Sequence, residues 1–70
     1  MSDVTERQEE IYNWIVWYHK EYKIMPSRRE IAQAFDFTVQ AAQTHLIALE
    51  SKGWIRRITG ASRGIVLVDD

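Results

Sequence analysis

The segment MPSRRE at residues 25–30 divides the first half of the chain into two helices and so limits the folds available to it. Pro26 disfavours helical backbone at the residue before it, because the proline ring clashes with that residue. Ser27 and Glu30 have the spacing of a capping box, in which each side chain bonds a free N–H at the start of a helix. We therefore predict that one helix ends before Pro26 and that a second begins at Arg28.

The rest of the chain carries signals for two more helices and a β-hairpin. Thr5 and Gln8 match a second capping box, and Thr38 is the expected N-cap of a helix that ends at Gly53. Two runs rich in branched residues flank the glycine-containing loop TGASRG. The predicted elements are helices over residues 5–22, 28–35 and 39–52 and strands over residues 54–58 and 65–68.

This order of elements predicts a fold that is mainly α with a small β-hairpin. The second and third helices, joined by a tight turn at residues 36–38, form a helix-turn-helix. The two-stranded antiparallel hairpin adds a wing, so the fold class is a winged helix-turn-helix, and residues 1–70 are predicted to form a single domain. Apolar residues at helical spacing predict the core: Ile11, Trp14, Ile15, Tyr18, Tyr22, Ile31, Ala34, Phe35, Ala42, Leu46 and Leu49.

Composition excludes several classes of function. The chain has no cysteine, and His19 and His45 are its only histidines, with no carboxylates grouped beside them at metal-ligand spacing. We therefore predict no metal, no cofactor, no small-molecule substrate and no enzymatic activity. No apolar run approaches the roughly 18 residues that cross a bilayer, and no secretion signal is recognisable. The expected location is the cytoplasm, in association with the nucleoid.

The outer face of the third helix is polar but uncharged. It carries Gln40, Gln43, Thr44 and Ile47, opposite the predicted core residues. A Gln amide can pair with the edge of adenine, and Thr or Ile can contact the methyl group of thymine. We interpret this face as a surface that reads base edges. The alternative is a solvated helix face that carries no charge by chance.

Basic residues are concentrated near the predicted wing, although the net charge of the chain is −1. Residues 51–68 contain four basic side chains and no acidic one, and a local patch matters more for a polyanion than the sum. Strand alternation allows at most one of Arg56 and Arg57 to face DNA. The alternative is that these charges only keep the hairpin soluble. The predicted phosphate contacts are Ser27, Arg28, Arg29, Thr38, Lys52, Ser62 and Arg63.

A second surface is predicted on the first helix, where Val16 and Trp17 lie off the core stripe. Trp is enriched at the energetic centres of protein interfaces, so this pair is a candidate contact for a homodimer or another protein. The alternative is that Trp17 lies flat over the edge of the core or against the C-terminal tail.

Four segments of the chain resemble one known family: TERQEEIYNWI, MPSRREIAQAFDF, AAQTHLIALESKGWI and TGASRGI. In order and spacing they are similar to the N-terminal DNA-binding domain of LexA, the bacterial SOS-response repressor, over residues 5–67. The resemblance implies a winged helix-turn-helix whose third helix enters the major groove. Carried over by position, the base-reading residues of the family fall on Gln40, Ala41, Gln43 and Thr44.

The chain also departs from the family pattern. The approach to the third helix is one residue shorter, and Gln43 and Thr44 stand where the family has acidic residues. A preference for a DNA sequence other than the standard SOS operator is therefore expected. Arg57 occupies a strand position that is usually apolar. No second, self-cleaving domain is present in the 70 residues, which suggested a free-standing domain of a phage or mobile element.

Two functions follow from these observations. The first is a sequence-specific double-stranded DNA-binding transcriptional regulator, expected to be a repressor. The second is a winged-helix interaction module that binds a host repressor or another transcription protein, favoured by the near-neutral charge and by Trp17.

Overall fold

A computed structural model, which describes residues 4–68, shows three helices followed by two short antiparallel strands. This architecture confirms the predicted winged helix-turn-helix. The element bounds agree with the sequence expectation to within a residue at most ends. They are α1 Glu6–Tyr22, α2 Arg28–Phe35, α3 Val39–Ser51, β1 Ile55–Arg57 and β2 Ile65–Leu67.

All three helix starts are capped by the side chains that the sequence indicated. Thr5 Oγ1 accepts from the Gln8 N–H at 3.1 Å, and Ser27 Oγ accepts from the Glu30 N–H at 3.2 Å. In both boxes the third helical residue bonds back to the N–H of the cap. Thr38 Oγ1 accepts from the N–H at the third position of α3 at 3.1 Å. Local hydrogen bonding therefore sets where each helix begins.

The turn between α2 and α3 is set by Asp36, whose backbone is left-handed with φ 61°. Asp is one of the few non-glycine residues that tolerate this conformation. The next residue, Phe37, donates its N–H to the carbonyl of Ala32 at 2.8 Å, which ends α2. The chain can therefore start α3 at Val39, after a turn of only three residues, and the two helices pack against each other.

The core lies around α3, which contacts α1, α2 and β1. Most of the predicted core residues are buried, but two predictions were wrong. Tyr22 is 56% exposed, because it is the last residue of α1. Ala34 is exposed and Ala32 is buried instead, since an eight-residue helix leaves the direction of its buried face to its packing partner. The fully or nearly fully buried apolar residues are Ile11, Ile15, Ile31, Ala32, Ala42, Leu46, Leu49, Ile55 and Ile65.

The wing is a short hairpin that is tied to the start of α2. β1 pairs with β2 in the register Ile55↔Leu67 and Arg57↔Ile65, leaving residues 58–64 as the loop. From this loop Arg63 reaches Glu30, and its Nη1 and Nη2 donate to the two carboxylate oxygens at 2.7 and 2.9 Å. Two parallel charge-assisted hydrogen bonds fix direction as well as distance. The ion pair therefore sets the position of the wing relative to α2.

The Arg63–Glu30 pair makes the stability of the fold depend on pH. Hydrogen bonds from the Arg63 guanidinium, then from the Ser27 N–H and the Tyr18 hydroxyl, lower the pKa of the Glu30 carboxyl from 4.5 to about 2. Because this pKa is lower in the folded state than in the unfolded state, the charged carboxylate stabilises the fold. That contribution is fully present above pH 4.5 and is lost as the pH falls towards 2.

A Glu30→Gln substitution tests this dependence. Gln can still cap α2, but it offers Arg63 no charge. We expect the variant to melt a few degrees below the unmodified domain at neutral pH, as followed by circular dichroism. The difference should persist down to pH 4.5 and close between pH 4.5 and about 2, where Glu30 itself becomes protonated. A difference that stays constant over this range would contradict the assignment.

Candidate nucleic-acid interface

The outer face of α3 is accessible along its length. Gln40 and Thr44 are exposed, Ile47 is 48% exposed, and Ala41 and Gln43 are half-buried. No described segment covers this face, since the elements that pack on α3 meet the side carrying the buried residues. The five predicted base-reading residues therefore share one side of an accessible helix, and their role stays a prediction.

The hydroxyl group of Thr44 already donates a hydrogen bond within α3. Its Oγ1 donates to the carbonyl of Gln40, one turn earlier in α3, at 3.0 Å. This local bond is common for Thr in a helix and leaves the hydroxyl oxygen and the methyl group facing outward. Thr44 can therefore meet a base only as a hydrogen-bond acceptor or through its methyl group, which narrows what it can read.

The start of α2 exposes two arginine side chains, but some of its backbone N–H groups are already hydrogen-bonded within the domain. Arg28 and Arg29 are exposed. The N–H of Ser27 donates to Glu30 Oε1 at 2.9 Å, and the Ser27 hydroxyl accepts from the Glu30 N–H. The carboxylate of Glu30 thus occupies part of the position that an incoming anion would take. Ser27 therefore caps α2, and phosphate contacts by Ser27, Arg28 and Arg29 stay predictions.

Arg63, a predicted phosphate contact in the wing, is paired within the domain. Its guanidinium donates to both oxygens of Glu30 and to the carbonyl of Met25 at 2.8 Å. The physical reason is that Glu30 presents a charged pair of acceptors within the domain. This contact spans 33 residues, so no helical or strand periodicity could have indicated it. The Arg63 side chain is still 41% exposed, and a contact with phosphate stays a prediction.

The other candidate phosphate contacts lie around the same side of the domain. Thr38 is exposed, and because its Oγ1 accepts from the Ala41 N–H, its hydroxyl hydrogen is available to a phosphate oxygen. Lys52 is the exposed C-cap of α3, and Ser62 is exposed in the wing loop.

A cleft of about 280 Å³ separates α3 from the wing. Candidate residues from three elements line it: Arg28 of α2, Gln43 of α3 and Ser62 of the loop. Arg57 and Glu50 also line this cleft, with Arg57 Nε 3.8 Å from Glu50 Oε1. The sequence predicted that at most one of Arg56 and Arg57 faces DNA, and the structure places Arg57 at this cleft.

The second predicted surface, on α1, is partly exposed and partly packed against the same helix. Trp17 is 47% exposed and contacts the rings of Trp14 and Tyr22, at centroid distances of 6.2 and 6.0 Å, while Val16 is half-buried. The ring thus covers part of its own helix and still shows about half of its surface. A partner contact through Val16 and Trp17 stays a prediction.

Other kinds of site have no support in the described residues. Residues 4–68 contain no group of three or more His, Cys, Asp or Glu side chains that could hold a metal ion. His45 stacks on Phe37 with ring centroids 5.1 Å apart, as a packed residue would. Within the same range, none of the helices has the length and apolar character to cross a membrane.

Comparison with known proteins decides the family. The model of the LexA DNA binding domain matches residues 1–64. The chain belongs to this family. LexA repressors of Verrucomicrobium spinosum and Colwellia psychrerythraea are 45% and 43% identical over 64 and 71 residues, covering 90% and 100% of the chain. The LexA repressor of Stenotrophomonas maltophilia is 49% identical over 67 residues, or 94% of the chain. The chain spans about a third of the length of these LexA repressors, 32–34%.

Proposed function

We propose that this LexA-type domain is a sequence-specific double-stranded DNA-binding transcriptional regulator that represses its targets by placing α3 in the major groove. Family membership supports DNA binding and transcription regulation. The observation that carries the specific proposal is the accessible, uncharged face of α3, which stands beside a cleft bordered by arginines. Repression, which the name of these relatives states, is proposed here for this chain.

The polar groups on α3 match what a major groove offers. The amides of Gln40 and Gln43 can each donate and accept at once, as pairing with the N6 and N7 atoms of adenine requires. Thr44 adds an acceptor or a methyl contact, and Ile47 adds an apolar contact suited to thymine. No residue of this row carries a negative charge that phosphates would repel. We infer a site richer in A·T pairs than one read by acidic side chains, which accept from cytosine.

Phosphate contacts would hold the helix in register from both sides. Arg28 and Arg29 approach from the start of α2, and Thr38 can donate from the start of α3. Lys52 and Ser62 approach from the other end of α3 and from the wing. Such contacts supply affinity and orientation without carrying sequence information.

Selection of bound sequences from a random duplex pool tests this proposal. We expect a short enriched motif, and an affinity for that motif about 10³-fold or more above that for random duplex. Affinity should fall as salt is raised, because each phosphate contact releases counterions. A palindrome with regular spacing would indicate binding as a dimer. Binding that does not discriminate between sequences at any salt concentration would refute base reading by α3.

A second function is supported by the exposed apolar residues around the end of α1. Trp17, Tyr22 and Ile24 are 47%, 56% and 47% exposed. This surface suits a protein-interaction module that binds a host repressor or another transcription protein. The absence of any binding to labelled duplex at low salt, by a domain that circular dichroism shows to be folded, would favour this function over the first.

A further inference from the structure

We propose that Arg57 is a phosphate-binding residue that Glu50 holds in the free domain and releases to a backbone phosphate when DNA enters the cleft between α3 and the wing. This inference rests on the proposed function, because it concerns the same DNA-binding face. Arg57 would then increase the affinity for DNA, and Glu50 would decrease it.

The position of Arg57 is the first observation behind this proposal. It lies in β1, opposite Ile65 of β2, and its side chain lines the cleft together with Arg28 and Gln43. Ser62 borders the same cleft from the wing loop. A duplex whose bases meet Gln43 must bring a strand of its backbone close to the neighbouring wall, since phosphates flank the groove on both sides. Arg57 is on that wall.

The second observation is that the hydrogen-bonding capacity of Arg57 is poorly used in the free domain. Its Nε lies 3.8 Å from Glu50 Oε1, which is within ion-pair range but too long for a hydrogen bond. Its Nη1 is buried and has no partner among the described residues. A buried donor without an acceptor is costly, and a charged one more so. A hydrogen bond from the guanidinium to an anion would therefore be favourable.

Arg63 offers a comparison within the same domain, because its guanidinium forms two short hydrogen bonds with one carboxylate. Arg63 donates to both oxygens of Glu30 at 2.7 and 2.9 Å, whereas Arg57 makes one long contact with a single oxygen of Glu50. A phosphate offers several acceptors to one guanidinium and can take two parallel hydrogen bonds. The exchange of Glu50 for phosphate would thus replace a weak contact with a strong one.

Both members of the pair can reach solvent. The side chain of Arg57 is 29% exposed and that of Glu50 is 43% exposed, so the guanidinium can turn from Glu50 towards a phosphate at the cleft without unfolding β1. Once Arg57 binds phosphate, Glu50 remains as an unpaired negative charge near the backbone of DNA. Glu50 therefore weakens DNA binding in two ways, because it competes for Arg57 and because it repels phosphate.

The test measures affinity against salt for four variants on two probes, the duplex recovered by selection and a random duplex. Arg57→Gln should reduce the slope of log affinity against log salt by about 0.9, the value for one lost phosphate contact, on both probes. Arg56→Gln is the matched control, because it removes the same charge from the adjacent, exposed strand residue. It should leave the slope unchanged.

Glu50→Gln should bind both probes several-fold more tightly than the unmodified domain. In the Arg57→Gln background the same change should give a smaller gain, because only the repulsion of phosphate remains to be removed. An Arg57→Gln variant that melts lower but keeps the slope would overturn the proposal, since Arg57 would then be a structural partner of Glu50. Equal losses of slope in the Arg56 and Arg57 variants would also overturn it.

A measurement on the unmodified domain keeps the test independent of folding of the variants. The Nε–Hε signal of Arg57 in a nitrogen-edited NMR spectrum should shift and sharpen when the selected duplex is added. An unmoved signal in a saturated complex would refute the transfer to phosphate. If the unmodified domain binds neither probe, the proposed function fails, and this outcome is distinct from sequence-specific binding in which Arg57 takes no part.

Discussion

Replacing Leu49 by alanine is expected to lower the free energy of unfolding by about 2–5 kcal/mol. Leu49 is fully buried in α3, the helix that α1, α2 and β1 all contact, so the cavity would lie where several elements meet. A chain of this length has a total stability of roughly 4–10 kcal/mol, so the loss removes a large part of it. Urea unfolding followed by tryptophan fluorescence and circular dichroism measures the change.

Ile47→Ala provides the matched control on the same helix. Ile47 is 48% exposed on the outer face, two residues before Leu49, and its truncation opens no cavity in the core. We expect its stability to stay within about 0.5 kcal/mol of the unmodified domain. Its DNA preference should change, whereas the folded fraction of Leu49→Ala should keep the preference. Equal destabilisation by the two substitutions would show that the two faces of α3 have been assigned wrongly.

Replacing Gln43 by alanine is expected to remove discrimination at one base pair of the selected site, worth about 1–3 kcal/mol. Gln43 lies on the outer side of α3 and also borders the cleft, so its amide stands between the bases and the backbone in the proposed complex. The measurement is the affinity of the variant for the selected duplex and for each single base-pair replacement of it. At the affected position the four base pairs should become nearly equivalent.

Gln33→Ala controls for the general effect of removing an exposed amide from a helix. Gln33 is exposed near the end of α2 and does not line the cleft. This variant should keep both the affinity and the sequence preference of the unmodified domain. If Gln43→Ala weakened binding equally for every duplex, the residue would be a backbone contact. If the variant bound like the unmodified domain, Gln43 would have no part in the interface.

Local structure could be predicted from neighbouring residues in the chain. Side chains three residues apart, as in Thr5 with Gln8 and Ser27 with Glu30, fixed the helix starts, because the hydrogen bonds that cap a helix join near neighbours. Helical periodicity correctly separated buried Leu49 from exposed Ile47 on α3. The order of the elements was enough to indicate the winged fold, and the resemblance of four segments indicated the family.

The partners of the arginines, in contrast, depend on how the helices and the hairpin pack together. Arg63 is a predicted phosphate contact from its place in a basic segment, and the fold pairs it with Glu30, 33 residues earlier in the chain. Strand alternation left open which of Arg56 and Arg57 faces DNA, and the fold places Arg57 at the cleft with Glu50 as a distant partner. A long, charged side chain takes whichever opposite charge the packed elements bring within a few ångströms, and that distance is set by how helices and hairpin dock. The order of charged residues in the sequence does not reveal that distance.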